Sequence, residues 1–468
     1  MKDMKTVLCV SLGALLLLSG CNLAPKYTRP KTPVPPRWSK PATEKAPAGA
    51  PAAAELKWQE FFTDEKLRQV IQMTLSNNRD LRIATLNIDK AQALYRIRRA
   101  QQYPTVTATA SGNVMRFPKS FAFSGGEAQT FEMYNVGVGA TSWELDLFGH
   151  VRNLKRQALE QYLATEQARS ATQVALVGAV ANSYLALAAD REQLRLARAT
   201  LKSQQATHDL IRRAREVGIA SELDLRQAQT QVEAARVSVA RYTALVAQDE
   251  NALNLLVGAP VPTALLPGEL DGAPVKEVSA GLSSEVLLRR PDILAAEHQL
   301  KAAYANIGAA RAAFFPFISL TGSGGFMSSD FAELFKSGSG TWTFAPQLAL
   351  PIFDGGSRKA NLKAARVDRD IAIAQYEKAI QSAFREVSDA LSLRARLAEQ
   401  LNAQRSLVNA LENTYRLSEA RYQAGTDSYL SVLVAQRSLY GARQALVSLR
   451  QAYLSNLVTL YKALGGGG

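Results

Sequence analysis

The chain has 468 residues, with 55 Lys and Arg against 41 Asp and Glu and a formal charge of +14. A basic excess can signal nucleic-acid binding, but here Lys and Arg are spread along helical segments rather than gathered into a patch with interleaved aromatics, so solvated helix faces are the better reading. No nucleic-acid partner is expected.

Lys2 and Lys5 precede a mostly apolar run at residues 7–18, followed by Leu18, Ser19, Gly20 and Cys21. The run is shorter than the roughly 20 apolar residues of a spanning helix. It reads as a signal peptide, residues 1–20. Small residues before a cysteine suit a lipoprotein signal peptidase, so Cys21 becomes the lipid-carrying mature N-terminus. Cys9 leaves with the signal, so the mature chain has no second cysteine for an intrachain disulfide. Loss of Lys2, Asp3 and Lys5 leaves a charge of about +13. Asn22, rather than Asp, after the cysteine favours the outer membrane over the inner.

Residues 21–57 are rich in Pro and Ala and predict an extended tether from lipid to body. After Leu18 no apolar run is long enough for a membrane helix, so a membrane-spanning part must be a barrel.

The rest divides into two similar repeats, residues 58–257 and 283–464, joined by a linker at 258–282. Asp80, Leu81, Arg99 and Pro104 recur 212 positions later as Asp292, Ile293, Arg311 and Pro316. Gly218, Ser221, Leu223 and Gln229 recur 207 positions later as Gly425, Ser428, Leu430 and Gln436. Each repeat reads as an incoming helix (64–103; 283–315), two strands (105–113 and 134–145; 317–326 and 342–350), a long helix (151–217; 357–423) and a return helix (221–257; 428–464). At 1.5 Å per residue each long helix reaches about 100 Å, and each shorter one about 50 to 60 Å. A return and an incoming helix placed end to end match one long helix, which makes a cylinder wall.

Leu397, Leu401, Val408, Leu411, Tyr415 and Tyr422, with Gln404 and Ser418 filling the register, trace a coiled-coil seam. Leu187, Leu194 and Leu201 do the same in the first repeat. In the strands Tyr134, Val136 and Val138 alternate with Asn135, Gly137 and Gly139, while Trp342, Phe344, Leu348 and Leu350 share one parity. This alternation suits lipid on one face and water on the other. Four strands cannot close a barrel around a pore, and open edges in lipid leave backbone groups unpaired at several kcal/mol each. Closure therefore takes several copies.

Pro104 and Pro316 end the incoming helices. Gly149, Gly355 and Gly356 allow the strand-to-helix bends, and Asp354 to Ser357 lacks the GK[ST] of a phosphate loop. His150, His208 and His298 have no metal-ligand spacing, and no nucleophile motif is present. No enzyme, cofactor or metal site is expected. Four sparse methionines in the mature chain argue against a copper relay. Gly465 to Gly468 have no evident packing role and are expected to be disordered.

The motifs PKYTRP (25–30), WQEFFTD (58–64), LRRPDI (288–293), AAFFP (312–316) and PIFDGG (351–356) together resemble the outer-membrane efflux protein family, the TolC-like factors, in its lipoprotein branch serving resistance-nodulation-division pumps. The resemblance covers nearly the whole mature chain. It implies a mixed α+β membrane protein, a homotrimer whose 12-stranded β-barrel, four strands per chain, continues into an α-helical coiled-coil barrel in the periplasm. It also implies passive export of drugs or small toxic compounds after docking of a periplasmic adaptor and an inner-membrane transporter. A duct for type I protein secretion or metal-ion efflux is the alternative, and a soluble coiled-coil scaffold is excluded by the strands. By the resemblance the adaptor-docking tips are Gly218, Ile219, Ala220 and Ser221 with Gly425, Thr426, Asp427 and Ser428. Tyr422 and Asp224 match a gate tyrosine and aspartate, whereas Asp427 replaces the family's arginine and Ser431 and Val434 replace two aperture aspartates. The expected closure is a Tyr422 to Asp224 link, with Arg421 as a charge partner and Val434 as an apolar constriction.

Overall fold

The computed structural model describes residues 22–38, 56–121, 128–268, 270, 274–278 and 283–466, so the signal segment and Cys21 lie outside the described residues. In chain order the helices are α1 (Trp58–Phe61), α2 (Glu65–Asn77), α3 (Arg79–Ala100), α4 (His150–Glu216), α5 (Glu222–Val257), α6 (Pro291–Ala312), α7 (Ser357–Gln423) and α8 (Tyr429–Ala463). The strands are β1 (Val106–Phe117), β2 (Gln129–Glu144), β3 (Phe317–Ser328) and β4 (Gly340–Ala349). The chain divides into two compact units. The first comprises the described parts of Met1–Pro30, Ile88–Thr165 and Ala296–Tyr376; the second those of Lys31–Asn87, Glu166–Ala295 and Glu377–Gly468.

In the first unit the four strands form one antiparallel sheet in the order β1-β2-β3-β4. Strand register turns the sequence alternation into two faces. Ala108, Val138, Gly324 and Trp342 lie across from one another, as do Ala110, Val136 and Phe326, so one face carries the apolar side chains of all four strands. The opposite parity carries Thr109, Gly137 and Gly325, with Ser323 and Thr343 one step along. Every residue of the edge strand β1 is exposed, and all but one of β4, on both faces. These edge strands have no protein core on either face, which suits a sheet with lipid on one side and water on the other. At the central seam a Cβ on Gly139 would sit 2.6 Å from the Ser323 Cβ, and one on Gly325 would overlap the Val136 backbone. Glycine lets these two strands approach.

The incoming helices are each interrupted, unlike the single helices expected. Asn78 separates α2 from α3 with an extended ψ of 133°. Its Oδ1 accepts from the Leu81 N–H at 2.9 Å and its Nδ2 donates to the Leu256 carbonyl at 2.7 Å, so one side chain caps the second helix and ties it to α5. In the second repeat a 3-10 turn, Ser284–Arg289, precedes α6, and Pro291 occupies the first helical position, where proline is tolerated. Both long helices run unbroken for 67 residues.

The second unit has its core where α2, α4, α5, α7 and α8 contribute Leu67, Ile71, Leu185, Leu187, Leu253, Val387, Leu457 and Tyr461, all within 2 % of full burial. The ring of Phe61 stacks on Tyr461 at 3.9 Å, and the Tyr461 hydroxyl donates to the Leu56 carbonyl at 2.7 Å. Leu397, Leu401 and Val408 of the seam are buried, and Gln404 donates to the Ala442 carbonyl at 2.8 Å. One stretch of α4 corrects the reading that no later run is apolar enough to span a membrane. An 18-residue window there averages a hydropathy of 1.4, but 56 % of it is buried against protein. A core helix passes the same length and composition test.

Two terminal expectations also change. Gly465 adopts a φ of +80°, its N–H and that of Gly466 close the end of α8 onto the Lys462 and Tyr461 carbonyls at 3.0 Å, and a Cβ on Gly466 would overlap the Tyr461 ring. These two glycines therefore pack as a helix stop; Gly467 and Gly468 lie outside the described residues. The described part of the tether is a packed strap. Along α6, Tyr27 meets Tyr304 edge-on with ring centroids 5.5 Å apart, and Arg29 pairs with Glu297 at 2.7 Å. Glu297 also takes the Tyr27 hydroxyl at 3.0 Å and the Lys301 ammonium at 3.2 Å. Burial pushes the Glu297 carboxyl up, but these donors outweigh it and hold it below its usual range.

Candidate functional site: the two helix reversals

Both reversals belong to the second unit and share a backbone design. At the first, the Gly218 N–H bonds to the Arg215 carbonyl and the Ile219 N–H to that of Ala214; at the second, Gly425 bonds to Tyr422 and Thr426 to Arg421. These two bonds close a Schellman motif, which places the glycine in the left-handed region. Gly218 has φ +79° and Gly425 has φ +74°, with open space around both. The sequence reading of Gly218, Ile219, Ala220, Ser221, Gly425, Thr426, Asp427 and Ser428 as turns therefore has this geometry beneath it.

The helices leaving the turns start differently. Ser221 and Asp224 form a reciprocal capping box at the start of α5. The Asp224 Oδ2 accepts from the Ser221 N–H at 3.0 Å and from its hydroxyl at 2.6 Å. Ser428, at the start of α8, makes no side-chain cap. There the Thr426 hydroxyl bonds to the Arg421 carbonyl at 2.9 Å, and the Arg421 guanidinium grips Asp427 through Nε at 2.7 Å and a second nitrogen at 3.3 Å. That bidentate bond from Arg421 holds the Asp427 carboxyl below its usual range.

Within the single chain the expected gate residues take other partners. No hydrogen bond joins Tyr422 to Asp224 among the described residues; Asp224 is committed to Ser221, and Arg421 to Asp427. Tyr422 instead sets its ring 5.5 Å from that of Tyr429. Ser431 and Val434 are exposed on one face of α8, Val434 at 57 %.

Sequence reasoning missed Tyr429. It is 5 % exposed and sits in a cluster with Ile211 and Ala228 of the first hairpin and Val432 and Leu433 of the second, with Leu225, Tyr415 and Tyr422 packed against it. The two reversals thus share one apolar core. The Tyr429 hydroxyl is buried with no hydrogen-bond partner, and burial, then the neighbouring tyrosines and Asp224, push its pKa up. Also missed was an ion pair at the first reversal, Arg215 to Glu222 at 2.7 Å. The 207-residue repeat offset places Arg215 on Tyr422 and Glu222 on Tyr429, and that correspondence was the available signal.

The family model described as outer membrane efflux protein matches residues 70–259 and 282–466. The chain belongs to the outer membrane efflux protein family. It is 50 % identical over 465 residues to the toluene efflux pump outer membrane protein TtgC of Pseudomonas putida, covering 99 % of this chain and 96 % of that one. It is 42 % identical over 454 residues to the outer membrane protein OprJ of Pseudomonas aeruginosa, covering 97 % and 94 %. Among solved structures, a membrane protein from Pseudomonas aeruginosa superposes with a TM-score of 0.90 at 42 % identity, covering 96 % of this chain and 98 % of that one. The open state of the MtrE channel of Neisseria gonorrhoeae gives 0.87 at 39 % identity, with 96 % and 98 % covered. Fold class and setting follow: an outer-membrane efflux channel in which a β-barrel continues into an α-helical tunnel.

Proposed function

We propose that three copies of this chain form a passive duct which carries drugs, solvents or other small toxic compounds out of the cell after a periplasmic adaptor and an inner-membrane resistance-nodulation-division transporter have docked. One observation carries the reading: a four-stranded sheet, exposed on both faces and open at β1 and β4, in a chain with two 67-residue helices. Edge strands in lipid must be paired, and bacterial barrels close with even numbers of strands, so three copies supplying twelve strands satisfy both demands. Toluene, solvent and antibiotic efflux, for which relatives in Pseudomonas putida are named, are the export classes to test first. The chain needs no catalysis of its own, because the transporter supplies the driving force.

The reversals serve as docking tips. Ile219 at 82 % and Val217 at 71 % exposure, with Gly218, Ala220, Ser221, Gly425, Thr426, Asp427 and Ser428, present a small apolar surface for helical-hairpin tips of the adaptor. Tyr422, Asp224, Arg421, Asp427, Ser431 and Val434 line the constriction, and Cys21 carries the lipid that holds the mature chain at the outer membrane.

The test has two arms. In cells lacking the chain's own copy, expression should restore resistance to toluene and to antibiotics, and the detergent-purified protein should run as a trimer that conducts ions in planar bilayers. A processed chain that stays monomeric in solution without detergent, or that leaves susceptibility unchanged beside its cognate adaptor and transporter, would overturn the proposal.

A further inference from the structure

An apolar cleft of about 220 Å³ lies within the first unit, where β2 passes into α4 and α6 passes into β3. Leu145, Leu147, Phe148, Phe315, Phe317 and Ile318 supply most of its apolar wall. Phe148 stacks on Phe315 with centroids 4.7 Å apart, yet Phe315 and Phe317 each remain 40 % exposed. The ionisable groups at its rim are already engaged: Glu144 with His150 at 3.1 Å and Asp146 with Arg152 at 3.2 Å. Among the described residues that line it, Asp146 alone has a buried side-chain atom, Oδ1, without a hydrogen-bond partner.

The N-terminal strap is aimed at this cleft. Its contacts climb α6 in strict order: Arg29 on Glu297, Tyr27 on Tyr304, Ala24 beside Gly308, where an added Cβ would come within 2.8 Å of it, and the Leu23 carbonyl accepting from Arg311 at 3.0 Å. From Glu297 to Arg311 the helix rises about 21 Å at 1.5 Å per residue. From Arg29 back to Leu23 the strap spans about the same distance at roughly 3.5 Å per extended residue. The two therefore run in step as far as Leu23. Leu23, two positions from Cys21 in sequence, is thereby held at Arg311, one turn of α6 before Phe315 and Pro316 at the mouth of the cleft.

We propose that the cleft seats one acyl chain of the lipid carried by Cys21. This rests on the reading of Cys21 as the lipidated N-terminus. The chain's methylenes cover the exposed faces of Phe315 and Phe317. The lipid then acts as a wedge that fixes the β2–α4 and α6–β3 junctions, in addition to holding the chain in the bilayer.

A photo-cross-linking experiment on the intact trimer tests this. Cells are fed a sixteen-carbon fatty acid bearing a diazirine near its end, and the purified protein is irradiated, digested and mapped by mass spectrometry. The expected product joins the Cys21 lipopeptide to peptides spanning residues 144–148 or 312–318 of the same chain. Ala313→Trp, placed at an exposed position on the cleft wall, should abolish that product while the trimer still forms. Cross-links from the Cys21 lipid confined to the apolar sheet face, such as Trp342 and Phe344, would overturn the proposal. So would cleft peptides joined to free phospholipid instead. An intact mass showing no acyl groups on Cys21 would instead remove the lipoprotein reading itself, and the inference with it.

Discussion

At the reversal between α4 and α5, Arg215 and Glu222 bridge the two helices as an ion pair whose members are each about half exposed. At the equivalent place between α7 and α8 stand Tyr422 and Tyr429, ring beside ring, with Tyr429 almost fully buried. The turns themselves are alike, down to two hydrogen bonds and a left-handed glycine. A duplicated unit has kept its backbone solution and changed the chemistry that locks it. An aromatic bracket in an apolar cluster is held by water exclusion and is insensitive to salt. An exposed ion pair is weak and screened. The second reversal is thus expected to be the stiffer of the two.

The largest effect should come from breaking the aromatic bracket. Tyr429→Ala removes a buried ring from a cluster that both hairpins share, at a cost of about 3 kcal/mol, and should raise single-channel conductance by loosening the tips. Tyr429→Phe should do the opposite: it deletes a hydroxyl that is buried without a partner, so thermal unfolding should shift upward and conductance stay low. Thermal melts and bilayer recordings of both variants decide the matter. If the two behave alike, the bracket is not what holds the second reversal.

A smaller effect separates the repeats farther from the tips. In the first repeat the carboxyls of Asp190 of α4 and Asp249 of α5 interact, and the Asp249 Oδ2 is buried without a hydrogen-bond partner. The equivalent positions hold Leu397, which is buried, and Asn456, whose amide donates to the Ala390 carbonyl at 2.9 Å. Burial, then the charge of Asp190, raises the Asp249 pKa to about 6 from 3.8. The folded state therefore holds this proton more tightly than the unfolded state. The stability it confers is complete below about pH 4 and is lost as pH rises through about 6. Asp249→Asn copies the second repeat, and should flatten that slope and stabilise the protein at pH 7. A denaturation midpoint whose pH dependence between 4 and 6 is unchanged by the substitution would contradict the assignment.

The repeats themselves were legible in the sequence because Gly218 and Gly425 must meet the same backbone demand twice. The sheet faces were legible because alternation in a strand is read directly from residue parity, and Trp342 and Val138 share an apolar face as expected. The break at Asn78 was not, since it depends on a carbonyl 178 residues away, that of Leu256. Nor was the strap, because proline and alanine look alike in a free linker and in one whose Tyr27 and Arg29 find a buried Glu297. At the tips, glycine signalled the turns, but the partners of Asp224 and Arg421 could not be inferred. Each found a nearer partner in its own turn than the one a family pattern supplies.

The smallest effect bears most directly on the contrast between the reversals. Arg215 and Glu222 lose little water when they pair, so their coupling is set by a screened charge interaction and opposed by the entropy of holding two long side chains. A double-mutant cycle of Arg215→Ala and Glu222→Ala should give less than about 1 kcal/mol of coupling in unfolding experiments, falling further in 0.5 M salt. Glu222 also pairs with Arg226 at 2.9 Å, one turn along α5, so the single Arg215→Ala variant leaves it a partner and should be almost silent in stability. Its consequence belongs to dynamics: with the bridge between α4 and α5 gone, amide hydrogen exchange should quicken at residues 214–221 and stay unchanged at 421–428. Equal acceleration at both turns would mean that the apolar core shared through Ile211, Ala228 and Tyr429 couples the reversals into one element, and that the difference in their locking chemistry has no mechanical consequence.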